Sequence, residues 1–304
     1  MNSPALFLTA TAIWGSTWLV IKFQLGVVAP EISVVYRFAI ASLLLFSLCV
    51  ATRQSLRFSA RNHGFFAGLG LLMIALNYVF VYRAEIVLTS GLVAVLYSTM
   101  VYMTPIAMRI VFGVPLHVST FVAATLCVGG VTLLFLPELA PAPSGSQIAT
   151  GVAYSLAAVL SCCIGNLIAV RNHRAGISTI PGTAWGLAYG AFFVALGALA
   201  QGVPWTFDPR PAYVLSLAYL AVFGSVIAFV AYFALLKRVG AGRSAYVTIA
   251  TPVIAMLLST VVEGYRWSFV AAFGVALAMF GNWLALRSPA GSAPSREGNR
   301  ITRA

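Results

Sequence analysis

Two short stretches, "MTPIAM" at residues 103–108 and "ATPVIAM" at residues 250–256, place a Thr-Pro pair inside a long apolar run. Proline removes one hydrogen bond from a helix, and its ring clashes with the carbonyl one turn back. In lipid, the freed carbonyl must find a partner or line a wet cavity. The same helix breaker about half a chain apart therefore indicates a duplicated unit in which the break has a role. A simple packing kink is the alternative, since proline is common in membrane helices.

The composition indicates an integral membrane protein. The chain has 304 residues, of which 61% are hydrophobic and 8% are charged, whereas a soluble domain has about 25% charged residues. The formal net charge is +12, but the basic residues lie at the ends of apolar runs rather than in one patch, which argues against nucleic-acid binding. The cysteines have no metal-site or disulfide spacing and are expected to be small buried hydrophobes, with no cofactor or metal predicted: Cys49, Cys127, Cys162 and Cys163.

Ten apolar runs are long enough to cross a bilayer core, which needs about 20 residues per helix. The N-terminus lacks the basic segment of a signal peptide, so the first run is interpreted as a retained span. The sequence thus predicts an all-α integral membrane protein with ten transmembrane helices. These are spans one to ten: 4–23, 32–51, 64–82, 87–111, 117–136, 147–170, 180–200, 211–236, 243–262 and 267–287.

The order of the spans predicts two inverted halves. The two prolines fall in spans four and nine, so each half holds five spans, and an odd number reverses the orientation of the second half, as in many secondary transporters. The predicted units are residues 1–143, residues 144–287 and a mobile cytoplasmic tail, 288–304. Most Lys and Arg residues fall on one side if both termini are cytoplasmic, which predicts a multi-pass inner-membrane protein in that orientation.

Spacing also predicts how two helices approach each other. Gly182, Gly186 and Gly190 recur every four residues in span seven. Small residues at this spacing let membrane helices pack closely.

Charged residues inside a span are functional candidates by default, and Arg37 in span two is the main one. It could hold a substrate carboxylate or phosphate, reach outward to the interface, or pair with Glu31 or Glu85. No Asp or Glu lies near the middle of a span, and the histidines fall at inner ends. A buried proton relay therefore has no evident parts, which favours facilitated diffusion or exchange. Catalytic pairs and phosphate-binding loops are also missing from the sequence, so no enzyme is predicted.

Neutral polar and aromatic residues are the other candidates for a binding site. Aromatic faces can hold an ammonium group, and hydroxyl or amide groups can hold a carboxylate, so such a cavity suits a zwitterion. Membrane-interface belts are the alternative role for Tyr and Trp. The predicted substrate-binding set, besides Arg37, is Trp14, Asn77, Tyr78, Tyr82, Ser98, Tyr102, Trp185 and Tyr189, with Pro105 and Pro252 as hinges.

Several stretches resemble one transporter family: "AIWGSTWLVIK" at 12–22, "YRF" at 36–38, "FVYRAEIVLTSGLVAVLYS" at 80–98 and "TPVIAMLLSTVVEG" at 251–264. They are similar to the drug/metabolite transporter superfamily, and most of all to its ten-helix EamA type, which includes amino-acid exporters of the YddG kind. The resemblance implies two five-helix halves around a central cavity that opens alternately to each side. One departure is that the first half, "FGVPL" at 112–116, has no counterpart to Glu263, for which a structural role is expected.

The sequence and the resemblance together lead to one functional hypothesis. The protein is expected to export small metabolites, with amino acids, aromatic ones included, as the best match. One alternative is a multidrug or metabolite efflux carrier coupled to protons, and another is a membrane sensor or scaffold that transports nothing. The expected partners are a small-molecule substrate and membrane lipid, and the oligomeric state is left open, a monomer included.

Overall fold

A computed structural model describes residues 1–24, 26–88, 93, 96–136, 145–262 and 267–287. The described residues are mostly helical and contain no strand, which confirms the predicted all-α class. The helices are α1 Ser3–Lys22, α2 Pro30–Ala51, α3 Ala60–Leu69, α4 Asn77–Val87, α5 Met100–Phe112, α6 Val118–Phe135, α7 Gly145–Arg174, α8 Thr179–Ala200, α9 Pro211–Ala221, α10 Ala228–Val239, α11 Ala241–Ser244, α12 Val247–Val262 and α13 Phe269–Arg287.

Each predicted span contains a helix in the described residues, but α5 in span four begins at Met100 rather than at the predicted residue 87, and residues 89–92, 94 and 95 lie outside the described residues. In the described residues, 6 helices are long and apolar enough to cross a membrane, and three more apolar helices are shorter: Leu96–Phe112, Val118–Leu134 and Phe269–Ala285. The predicted tail from residue 288, and Glu263, lie outside the described residues, as do the side chains of Lys22 and Glu85.

Two of the spans contain a π-helical segment. Gly70–Leu76 joins α3 to α4 in span three, and Val222–Ile227 joins α9 to α10 in span eight. A π-helical turn widens the helix, and such turns are frequent at functional sites. Spans three and eight hold equivalent places in the two predicted halves, so the irregularity occurs once in each of them.

The packing of the helices follows the same numbering. The most extensive contact joins α6 to α13, which are spans five and ten, and α2 packs along α8, which are spans two and seven. Span three packs on span six through α4 and α7, while span eight packs on span one through α10 and α1. In the predicted duplication, spans one to five correspond to spans six to ten. The pairs five–ten and two–seven then correspond to themselves, and the pair three–six corresponds to the pair eight–one, as a duplicated five-helix unit requires. The inverted orientation of the two halves stays a prediction.

Glycines set the separation of the closest helices. A Cβ atom added to Gly130 in α6 would lie 2.4 Å from the backbone nitrogen of Ala278 in α13. One added to Gly190 would lie 2.5 Å from the Cβ of Ile74 in the π-helical segment of span three. No side chain larger than hydrogen fits at such distances, which confirms the close packing predicted for span seven.

Smaller features agree with the sequence or add to it. The four cysteines are buried and form no disulfide, as expected. In the loop between α8 and α9, the carboxylate of Asp208 accepts hydrogen bonds from the Nε atom of Arg210 at 2.8 Å and from its backbone nitrogen at 3.0 Å. The side-chain hydrogen bond from Arg210 is the main reason that the pKa of Asp208 is lowered.

Candidate binding cavity

One large cavity lies between helices of the two predicted halves. Its empty volume is about 980 Å³, including the part open to solvent. Spans one to four contribute one part of the wall, and spans six, eight and nine contribute the rest. The wall consists of Trp14, Thr17, Ile21, Arg37, Met73, Asn77, Tyr78, Val81, Tyr82, Tyr97, Met100, Cys162, Phe229, Tyr232, Thr248, Thr251 and Pro252.

Aromatic rings form much of this wall. The ring centroid of Trp14 lies 5.0 Å from that of Tyr232 and 5.4 Å from that of Phe229, and the indole Nε1 donates a hydrogen bond to the carbonyl of Gly224 at 3.2 Å. Aromatic pairs at these separations are favourable beyond the area they bury. The indole ring is therefore held in place from two sides before any ligand enters.

Among the described residues of the wall, Arg37 is the charged one, and it is 2% exposed. Its Nε donates to the Ser225 hydroxyl at 2.8 Å, and its Nη2 donates to the Gly224 carbonyl at 3.3 Å and to the Tyr78 hydroxyl at 3.5 Å. Its Nη1 is buried and has no hydrogen-bond partner. The guanidinium also lies 5.2 Å from the centre of the Phe38 ring and 5.3 Å from that of Tyr78.

These contacts bear on the roles considered for Arg37, except pairing with Glu85, whose side chain lies outside the described residues. The side chain stays inside the protein instead of reaching the interface. In the part of the chain that the structure describes, no carboxylate lies within ion-pair distance of it, and Glu31 makes no bond to it. The guanidinium is thus a buried cation that faces the cavity without an observed counter-charge.

The π-helical segment of span eight positions the groups that hold Arg37. A Cβ atom added to Gly224 would lie 3.1 Å from Nη2 of Arg37 and 3.0 Å from Cγ2 of Thr17, so glycine lets two helices approach this point. The Ser225 hydroxyl donates to the carbonyl of Leu220, five residues back, at 3.0 Å. That bond orients the Ser225 oxygen to accept from Arg37.

Neutral polar groups complete the wall. Asn77 follows the π-helical segment of span three, and its Nδ2 donates to the Tyr97 hydroxyl at 2.7 Å and to the carbonyl of Ala158 at 3.0 Å. The Tyr232 hydroxyl donates to Oδ1 of Asn166 at 3.0 Å, while Nδ2 of that amide has no partner. Among the described residues, no group of His, Cys, Asp and Glu side chains comes together to hold a metal ion.

The predicted site residues divide into two groups. Those that line the cavity are Trp14, Arg37, Asn77, Tyr78, Tyr82 and Pro252. Those that lie elsewhere are Ser98, Tyr102, Pro105, Trp185 and Tyr189. Ser98 is fully buried, and the Tyr102 hydroxyl donates to Oγ1 of Thr125 at 2.9 Å.

Trp185 and Tyr189 belong to a separate aromatic cluster with His63 and Phe46. The Trp185 ring centroid lies 4.6 Å from that of His63 and 5.0 Å from that of Phe46. Nδ1 of His63 lies 3.1 Å from the Tyr189 hydroxyl, and the indole Nε1 of Trp185 donates to the carbonyl of Leu56 at 3.3 Å. The reported contacts of the cluster are therefore among its own members and with the loop between α2 and α3.

The two prolines contribute to different spaces. Pro252 lines the large cavity, whereas Pro105 lines a smaller one of about 620 Å³, including the part open to solvent. The second space also contains His117, Arg243 and Tyr246. The symmetric Thr-Pro pairs therefore lie in unequal surroundings.

Sequence reasoning missed several residues of the site, among them Phe229 and Tyr232 in the cavity wall and the Gly224–Ser225 pair that holds Arg37. One signal pointed to span eight. The helix Pro211–Val239 has 29 residues, well beyond the roughly 20 that a bilayer requires. It carries "FGSV" at 223–226, and Gly/Ser pairs are a recognised cause of irregular helices.

Comparison with known proteins places this architecture in a family. A sequence profile of the EamA-like transporter family matches residues 3–136 and 149–287. The chain belongs to the EamA-like transporter family. The two matched segments cover most of both predicted halves.

Individual relatives are distant but extend over most of the chain. The "Uncharacterized inner membrane transporter YedA" of Escherichia coli is 27% identical over 283 residues, covering 90% of this chain and 89% of that protein. "Protein PagO" of Salmonella typhimurium is 22% identical over 271 residues, covering 86% of each. A solved structure described only as "Crystal structure of protein" has a TM-score of 0.75 and 18% sequence identity, covering 93% of this chain and 96% of that one. The last likeness concerns the fold alone.

Proposed function

We propose that this protein carries small metabolites across the inner membrane, and that amino acids, aromatic ones included, are exported through the large cavity. The observation that carries the proposal is the cavity wall, which combines closely packed aromatic rings with a buried guanidinium and neutral hydrogen-bonding groups. Membership of the EamA-like transporter family, and a relative named as an inner membrane transporter, support it.

The chemistry of the cavity suits a molecule of this class. Small-molecule pockets typically combine apolar walls with a few polar groups. Trp14, Phe229 and Tyr232 offer apolar faces to an aromatic side chain, and aromatic faces also attract an ammonium group. A zwitterion can satisfy both features within one site.

Alternating access needs helices that bend, and the chain has candidates in equivalent spans. Pro105 and Pro252 interrupt α5 and α12, and π-helical segments interrupt spans three and eight. Prolines and π-helical turns are the usual places where helices bend. We infer that the two prolines act as hinges and that Pro252, in the cavity wall, moves with the substrate.

The cavity wall also bears on energy coupling. Among the lining residues that the structure describes, none is Asp, Glu or His. Proton-coupled carriers use such groups as relays, so we propose a facilitative or exchange mode. Proton-coupled efflux of drugs or other metabolites is the competing mechanism.

Uptake of a labelled amino-acid panel into proteoliposomes, with and without an imposed pH gradient, tests the proposal. Saturable uptake of aromatic amino acids without a gradient is the expected result. Uptake only with a gradient would replace the facilitative mode by proton coupling. No uptake of any amino acid under either condition would remove amino acids as the substrate.

A further inference from the structure

We propose that Arg37 is the carboxylate anchor of the cavity and that a ligand must carry a carboxylate to bind there. This inference rests on the proposed function, because it assigns the substrate class and orientation in the same site. Its basis is a buried guanidinium that faces the cavity and has spare donors.

The first step is the charge of Arg37. Burying a charge is costly unless an opposite charge or several hydrogen bonds compensate for it. Here the compensation observed in the described residues consists of neutral groups: the Ser225 hydroxyl, the Gly224 carbonyl and the Tyr78 hydroxyl. The residue is 2% exposed, so water outside the protein supplies little. An anion that enters the cavity would supply the missing charge.

The second step is the count of donors. A guanidinium carries five N–H groups in a fixed plane. The protein uses Nε and Nη2, and leaves Nη1 buried without a partner. The edge formed by Nη1 and Nη2 is the one that binds a carboxylate through two parallel hydrogen bonds.

The third step is access. Nη1 is buried, so the guanidinium edge must be uncovered as a ligand arrives. The 3.5 Å bond from Nη2 to the Tyr78 hydroxyl is the longest of the three, and long hydrogen bonds are weak. We expect Tyr78 to yield to the carboxylate, while Ser225 and Gly224 keep the guanidinium in position.

The fourth step is the orientation of the ligand. The Gly224 carbonyl accepts from both Arg37 and Trp14, so the cation and the indole ring are neighbours. A carboxylate on Arg37 would place the apolar part of the ligand against Trp14, Phe229 and Tyr232. An amine that lacks the carboxylate would meet an unopposed positive charge and be rejected.

Direct binding to the purified protein tests this inference with four probes. They are L-phenylalanine, 3-phenylpropanoate, which lacks the amine, and phenethylamine and L-phenylalaninamide, which lack the carboxylate. The two carboxylates are expected to bind the wild type, and the other two are expected to bind at least about 30-fold more weakly, since truncating a buried charge pair costs at least 2 kcal/mol. Equal binding of L-phenylalanine and phenethylamine would overturn the proposal, and so would an absence of binding by all four.

Variants link the selectivity to the residue. Arg37→Gln is expected to weaken binding of 3-phenylpropanoate by about 30-fold or more, whereas Arg109→Gln, which removes an exposed charge outside the cavity, leaves it unchanged. Arg37→Lys keeps the charge but loses the bidentate edge, so an intermediate loss is expected. The Arg37→Lys variant is the one to measure if Arg37→Gln does not fold. Unchanged binding in a folded Arg37 variant would contradict the anchor.

Two further arms separate the possible outcomes. Adding chloride at physiological concentration should leave binding of 3-phenylpropanoate nearly unchanged, and full competition by chloride would make an inorganic anion the occupant and overturn the proposal. Arg37-dependent binding together with no amino-acid uptake would remove the proposed function but keep the anion site. Amino-acid uptake together with binding that ignores Arg37 would remove the anchor and keep the function.

Discussion

Two regions of this helical protein are packed in opposite ways. The helices α6 and α13 are in close contact, whereas the wall of the large cavity surrounds open space. At the first, a single methyl group on Gly130 would lie 2.4 Å from a backbone atom of the neighbouring helix. At the second, aromatic side chains surround about 980 Å³ of open and enclosed space. Helices close-packed through glycine provide a rigid frame, whereas the cavity holds groups whose hydrogen-bonding capacity is not fully used.

The largest expected effect lies in the frame. Gly130→Ala should destabilise the protein by about 1–3 kcal/mol or prevent folding, because overpacking forces the backbones apart. The neighbouring Gly129→Ala is the matched control, since its added Cβ would come no closer than 4.0 Å to Leu277. Thermal unfolding in detergent measures both. Equal melting temperatures for the two variants would refute the rigid contact.

The next effect lies in the cavity. Trp14→Ala should reduce transport or substrate affinity at least about tenfold, because it removes an aromatic face of the wall and about 1.4 kcal/mol corresponds to a factor of ten. Trp283→Ala is the control, because Trp283 is 46% exposed in span ten and lies outside the cavity. Initial uptake rates at equal amounts of folded protein are the measurement. A similar loss in both variants would place the effect outside the cavity.

A third substitution compares the two tryptophan clusters. Trp185→Ala should lower the free energy of unfolding by about 2 kcal/mol, below the usual 3–5 kcal/mol for a core Trp because the ring is only partly buried. Its effect on the Michaelis constant should be smaller than that of Trp14→Ala. Reversal of this order would return Trp185 to the substrate site, as the sequence suggested. Unfolding curves and concentration-dependent uptake measured on the same preparations separate the two effects.

The smallest effect is expected in the loop between α8 and α9, outside both regions. The Arg210 hydrogen bond lowers the pKa of Asp208, so the interaction contributes stability above the unfolded pKa and loses it as pH falls through the folded value. Asp208→Asn should therefore lower the melting temperature slightly at neutral pH, and this difference should vanish in acid. A difference that grows as pH falls would have the wrong sign.

Much of the frame could be predicted from the sequence. Span five was predicted at 117–136 and observed at Val118–Phe135, and span seven at 180–200 was observed at Thr179–Ala200. Apolar length and turn residues decide where a helix enters and leaves the bilayer, and both are written directly in the chain. The glycine spacing in span seven likewise predicted its close packing.

The site was harder to predict, because helical spacing shows which residues share a face but not what that face meets. Trp14 and Trp185 both lie in apolar spans with polar neighbours, yet one lines the cavity and the other packs on His63. Pro105 and Pro252 are alike in sequence and line different spaces. Contacts with partners distant in the chain decide these outcomes, and no local pattern records them.

The shared carbonyl of Gly224 has a consequence for how this protein tolerates change. Trp14 on span one and Arg37 on span two donate to the same oxygen, which belongs to span eight. Residues that share one hydrogen-bond network are energetically coupled, so the energies of the two substitutions are not expected to add. Three helices are thereby energetically coupled through one peptide group. A substitution in one of them therefore changes the effect of a substitution in the other two.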